Sequence, residues 1–100
     1  MTYMKHLFSI VGILALNSAF ASLCDYDRTQ MYEQIYATGS INTVECPINA
    51  NGFGINKVSE PIQTSRNTCS ATCFYASGDG YDGEPCTWDL GNWGNTLACN

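Results

Sequence analysis

Residues 69–99, CSATCFYASGDGYDGEPCTWDLGNWGNTLAC, decide the fold, because they hold four of the six cysteines and both tryptophans. Two of these cysteines are four positions apart, a spacing that places both on one face of a helix. We therefore predict a helix over 68–77, clamped to a sheet by disulfides. Residues 78–85 read as a glycine-rich acidic turn. Residues 86–90 and 96–99 read as strands joined by a glycine and asparagine loop.

The first residues of the chain have the layout of a secretory signal peptide. Lys5 precedes an uncharged apolar run at 7–16, and the small residues of Ala-Phe-Ala at 19–21 suit signal peptidase. The run is too short for a spanning helix, which needs about 20 apolar residues. The sequence predicts a signal peptide at 1–21, a single secreted domain at 22–100, and no membrane insertion.

The charge and cysteine content of residues 22–100 narrow the class of protein. This part has 79 residues, three basic against nine acidic side chains, a net charge of −6 and no histidine. A hydrophobic core alone is marginal at that size, and six cysteines in a secreted chain are typical of three disulfides. The acidic balance disfavours binding to nucleic acid, which requires clustered basic residues.

The cysteines are predicted to be structural, and all six are expected in disulfides: Cys24, Cys46, Cys69, Cys73, Cys86 and Cys99. We favour Cys69 and Cys73 pairing with Cys86 and Cys99, which leaves Cys24 for Cys46. Six cysteines allow 15 connectivities, so the pairing stays open. The main alternative joins Cys24 to Cys99.

Upstream of the cysteine-rich stretch, the pattern predicts a helix and a hairpin. Met31 and Ile35 fall on one apolar helix face over 27–38. Strands at 41–46 and 53–58 form the hairpin around an Asn-Gly turn. The fold class is therefore α+β: a small disulfide-stabilised domain with two helices packed on a short antiparallel sheet.

The side chains of residues 22–100 give little reason to predict catalysis or metal binding. Without histidine, a Ser-His-Asp or Cys-His mechanism is not available, so we expect no enzyme and no cofactor. Carboxylates could still serve a small hydrolase, and Asp79, Asp82 and Glu84 form a weak calcium candidate. The simpler interpretation of these three residues is a solvated acidic turn.

Exposed aromatic side chains are the remaining candidates for function. They can stack on sugars or anchor a protein interface, and asparagines beside them can hydrogen-bond. The candidate binding residues are Trp93, Trp88, Tyr81, Asn92 and Asn95. For Trp88 we favour a role in the core, whereas Trp93, in Gly-Asn-Trp-Gly-Asn, is expected at a loop tip and is the best single contact residue.

The signal peptide ending in Ala19-Phe20-Ala21, the short mature chain and the six cysteines together resemble small secreted cysteine-rich proteins of fungi. Many of these are host-directed effectors or antagonistic toxins, and the predicted element order is similar to the killer-toxin-like α/β sandwich. The resemblance implies a secreted, monomeric protein that binds an extracellular or host protein. The alternatives are a carbohydrate-binding module and a small carboxylate-dependent hydrolase.

Overall fold

One antiparallel sheet and one long helix make up most of the fold. The computed structural model describes residues 8–77 and 80–100, with side chains from residue 23. In chain order the elements are α1 (Phe8–Thr38), β1 (Ile55–Val58), β2 (Ile62–Ser65), β3 (Thr68–Ser77), β4 (Gly80–Asp89), α2 (Trp93–Thr96) and β5 (Ala98–Cys99). The predicted α+β domain with three disulfides is confirmed, with more strand than expected.

The centre of the sheet is a long hairpin of β3 and β4, paired from Thr68↔Asp89 to Ser77↔Gly80. β1 and β2 follow one another along the other edge of β3. β5 lies beside β4 but pairs only with Cys86 and Thr87. The sheet order is therefore β1-β3-β4-β5, with β2 also on β3.

The helix predicted over 68–77 is wrong, because this stretch is β3. Its side chains alternate, with Cys69, Cys73 and Tyr75 buried on one face. A separation of four residues places two cysteines on the same face in a strand as well as in a helix. The cysteine spacing therefore did not distinguish the two, and the threonine and aromatic content favours the strand.

Two other predicted elements also differ from the structure. The acidic turn at 78–85 is strand from Gly80 onward, as the first half of β4. The strand at 41–46 is reduced to isolated bridges, Ile41↔Ile55 and Glu45↔Ala98. The predicted strand at 53–58 is present from Ile55 as β1, and the last predicted strand is shortened to β5 because α2 precedes it.

The helix predicted at 27–38 ends where expected, at Thr38, but it begins much earlier. Gly39 follows with φ 97° and its N–H donates to Ile35 O at 2.7 Å, which closes the last turn. Met31 and Ile35 are buried on the predicted face. This face meets the sheet.

The predicted signal peptide lies partly outside the described residues. Residues 8–21 continue α1 without a break, and residues 1–7 are not described. Within the described residues, none of the helices has both the length and the apolar character needed to cross a bilayer. Cleavage after Ala21 stays a prediction.

Polar contacts hold α1 against the sheet. The Asp27 carboxylate is buried, and its Oδ2 accepts hydrogen bonds from Trp88 Nε1 at 2.9 Å and from the Gly91 N–H at 3.0 Å. One turn further along, the Tyr32 hydroxyl accepts from Val58 N at 2.9 Å and donates to Val58 O at 3.1 Å. These bonds set both the position and the rotation of the helix on the sheet.

All six cysteines are in disulfides, but the favoured pairing is only partly correct. The bonds are Cys24–Cys69, Cys46–Cys99 and Cys73–Cys86. Only Cys73–Cys86 falls within the favoured set; neither Cys24–Cys46 nor the alternative Cys24–Cys99 is present. The first bond joins α1 to β3, the second fastens the loop after α1 to β5, and the third crosses the central hairpin.

Intact mass before and after reduction should differ by six hydrogen atoms, because no cysteine is free. Replacing both Cys46 and Cys99 by alanine should lower the free energy of unfolding by about 4 kcal/mol, and replacing Cys73 and Cys86 by about 3 kcal/mol. The order follows from the sequence separations of 53 and 13 residues. Denaturant unfolding measures both, and the reverse order would contradict the loop-closure account.

Asp27→Ala should lower the free energy of unfolding by about 1–3 kcal/mol, because Trp88 Nε1 and the Gly91 N–H lose their acceptor in a buried setting. Asp25→Ala is the matched control. Asp25 is exposed and makes a surface ion pair with Arg28, at 3.8 Å, so its loss should lower the free energy of unfolding by less than about 1 kcal/mol. Equal losses in urea unfolding would argue against a structural role for the Asp27 carboxylate.

Candidate functional site

The sequence-predicted binding residues near α2 are less exposed than expected. Trp88 is 1% exposed and belongs to the core, in agreement with the favoured interpretation. Trp93 begins α2 rather than a loop tip, is half-buried against the core, and its Nε1 donates to Gln30 Oε1 at 3.4 Å. Asn92 and Asn95 are exposed, but Asn95 Nδ2 donates to Asn92 Oδ1 at 2.8 Å.

Tyr81 lies on a different surface from these residues. It occupies the outer face of β4, where Lys57 Nζ lies 5.5 Å from its ring centroid and 5.1 Å from that of Phe74. Phe74 in turn packs over Gly83, where an added Cβ would lie 2.6 Å from the ring. The five predicted residues are thus divided among the core, α2 and the outer sheet face, and do not form one binding surface.

Asp82 and Glu84 lie on the inner face of β4, opposite Tyr75 and Cys73 of β3. The loop after the Cys46 disulfide runs over this face and leaves a groove of about 390 Å³. We call it the acidic groove; it is lined by Glu45, Pro47, Ile48, Asn49, Tyr75, Asp82, Glu84 and Cys99. It combines three carboxylates with an apolar wall.

The calcium candidate is not a loop site. Asp79 lies outside the described residues, and Asp82 and Glu84 are in a strand. Among the residues that the structure describes, no three acidic, histidine or cysteine side chains are grouped closely enough to hold a metal ion. The carboxylates of the acidic groove are therefore spread along it rather than gathered at one point.

Tyr75 forms the base of the acidic groove. It is 5% exposed, and its hydroxyl makes no hydrogen bond to any other described residue. Burial raises the pKa of this hydroxyl above its ordinary value of 10.0, and the negative charge of Glu84 adds to the rise. At neutral pH the groove therefore offers a protonated phenol and an unused hydrogen-bonding position.

Beside the groove, residues 43–46 form a tight turn, here called the Val44 turn. Thr43 N donates to Cys46 O at 2.9 Å and Cys46 N donates to Thr43 O at 3.2 Å. The Thr43 hydroxyl also donates to Leu97 O at 2.9 Å, and the disulfide to Cys99 fixes the other end. Val44 projects from this rigid turn with 91% of its surface exposed.

The Val44 turn separates two depressions in the surface. Glu45 lines both the acidic groove and a second one of about 390 Å³, formed with Gly94 and Asn95 of α2 and with Leu97. The sequence placed Val44 and Glu45 in a strand and Tyr75 in a helix, so neither the turn nor the base of the groove was foreseen. Of the three carboxylates in the acidic groove, the sequence points to Asp82 and Glu84, as part of an acidic turn, but not to Glu45.

No family model, no curated protein and no solved structure matches this chain. Its function is therefore inferred from its own geometry.

Above pH 10 the free energy of unfolding should fall in part because of Tyr75. The unfolded chain loses the phenolic proton near pH 10, whereas the folded chain, with its raised pKa, keeps it. The stability that Tyr75 contributes is complete below pH 10 and is lost as the pH rises through the folded pKa. Denaturant unfolding between pH 8 and pH 11, with absorbance titration of tyrosinate, measures it.

Tyr75→Phe should flatten this alkaline decline while leaving stability at neutral pH within about 1 kcal/mol of the parent. Tyr26→Phe is the control, because Tyr26 is exposed. If both variants keep the parental decline, Tyr75 is not its source.

Proposed function

We propose that the chain is a secreted, non-enzymatic binding protein that acts on an extracellular or host protein, in the manner of an effector or toxin-like factor. Three disulfides suit an oxidising compartment. The observation that carries the proposal is Val44, 91% exposed on a turn fixed at both ends. Its contact surface is the Val44 turn together with the acidic groove.

A single exposed apolar residue is ordinary on a protein surface, but the setting of Val44 is not. The turn is rigid, so little conformational entropy is lost when it docks against a partner. Ile48, 51% exposed, adds a second apolar contact on the same loop. An exposed apolar residue bordered by depressions and charged groups supports the proposal, because protein interfaces combine a desolvated apolar centre with a polar rim.

The carbohydrate-binding alternative is less well supported, because the aromatic candidates lie on separate surfaces and Trp93 is half-buried. A carboxylate-dependent hydrolase is a second candidate, favoured by the carboxylates that line one groove. Release of reducing sugar from oligosaccharides, lost in Glu84→Gln, would support that hydrolase instead.

Val44→Asp should weaken capture of the partner without unfolding the chain, because the side chain is exposed and belongs to the proposed contact surface. The immobilised protein is exposed to surface and secreted proteins of candidate hosts or competitors, with a glycan array in parallel. We expect affinity for the captured protein to fall at least about tenfold.

Ile62→Asp is the matched control, because Ile62 is 63% exposed on β2, at the opposite edge of the sheet. Equal capture by the parent and both variants would exclude the Val44 turn from the contact surface. Array binding without protein capture would favour the carbohydrate-binding alternative.

A further inference from the structure

The first half of β4 has an edge that no described strand covers. β5 pairs with β4 only at Cys86 and Thr87, and the Asn100 N–H adds one hydrogen bond to Pro85 O at 3.0 Å. Backbone groups alternate between the two sides of a strand. Since the Pro85 carbonyl points toward β5, the N–H and C=O groups of Gly83 and Tyr81 point to the same, uncovered side.

This open edge borders the acidic groove. Asp82 and Glu84 carry their side chains on the inner face of the same strand segment, and Glu45 approaches from the loop opposite. A strand added to this edge would place alternate side chains on that inner face, next to these carboxylates. The backbone edge and the charged groove are therefore presented to the same extended segment.

Tyr75 supplies a hydrogen-bonding group to the same groove. It is 95% buried, lines the acidic groove, and has a hydroxyl without a hydrogen-bond partner among the described residues. This hydroxyl is not enclosed, so it can donate to or accept from a polar group of a ligand in the groove. The apolar wall of Pro47 and Ile48 suits the methylene stem of a long side chain.

We propose that residues 80–84 of β4 accept an extended segment of a partner protein as an added strand, with lysine or arginine side chains entering the acidic groove. The segment runs antiparallel to β4, along the line of β5. This inference rests on the proposed function and names the chemistry of its partner. Carboxylates on this face also oppose a second copy of the chain, because like charges opposite each other destabilise strand pairing.

The antiparallel geometry fixes which residues of the partner do what. Partner residues opposite Asp82 and Glu84 direct their side chains into the groove and their N–H groups away from β4. Partner residues opposite Tyr81 and Gly83 form the backbone hydrogen bonds. Basic residues are therefore needed at every second position, and free N–H groups are needed at the positions between them.

Fluorescence anisotropy with synthetic peptides tests this arrangement on the intact protein. The probe is a fluorescein-labelled peptide with lysine at every second position between valine and threonine. One comparison peptide replaces lysine by glutamate, a second is N-methylated at the valine and threonine nitrogens, and a third is N-methylated at the lysine nitrogens.

The lysine peptide and the third peptide should bind, and the glutamate peptide and the second peptide should not. Asp82→Asn and Glu84→Gln should each weaken binding of the lysine peptide about three- to fivefold, as expected for partly exposed ion pairs. Glu60→Gln, which removes the same charge outside the groove, should leave it unchanged. Amide hydrogen exchange should show new protection at Tyr81 and Gly83.

Equal binding of the lysine and glutamate peptides, or equal binding of the two methylated peptides, would overturn the proposal. So would an equal loss with Glu60→Gln, since that would mean a general charge effect. If a protein is captured in a manner that depends on Val44 but the lysine peptide does not bind, this inference alone is overturned. If neither is observed, the proposed function is overturned as well.

Discussion

The attachment of α1 to the sheet is the constraint on which the rest of the structure depends. The apolar core is small, and of the buried hydrophobic side chains in the described residues five are cysteines. Such a core holds a helix in contact but does not fix its rotation. The Cys24–Cys69 bond, the buried Asp27 carboxylate and the Tyr32 hydroxyl do this together, since each has a single partner position on the sheet.

The acidic groove arises because the central hairpin extends beyond the core. Along the inner face of β4, buried Trp88 and Cys86 give way to Glu84 and then Asp82. At this end the hairpin faces the loop after Cys46, which is tethered to β5 by its disulfide, and the acidic groove lies between them. One strand thus contributes to the core with one half and to a charged surface with the other.

The sequence predicted those features that depend on residue type or on local chain geometry. Oxidised cysteines, the helix end before Gly39, strand β1 and the core position of Trp88 are of this kind. The helix at 68–77 failed because a four-residue separation suits both periodicities. Disulfide partners, and the meeting of Glu45 with Asp82 and Tyr75, depend on contacts between residues distant in the chain, which no local pattern contains.

The disulfide connectivity has a consequence for resistance to proteolysis. Every peptide bond between Cys24 and Cys99 is spanned by at least one of the three bridges, because the first two overlap and the third lies within the second. Cleavage of the backbone at any one of these bonds therefore releases no fragment. A nicked molecule remains a single covalent body, and its cut ends stay close to where they were joined.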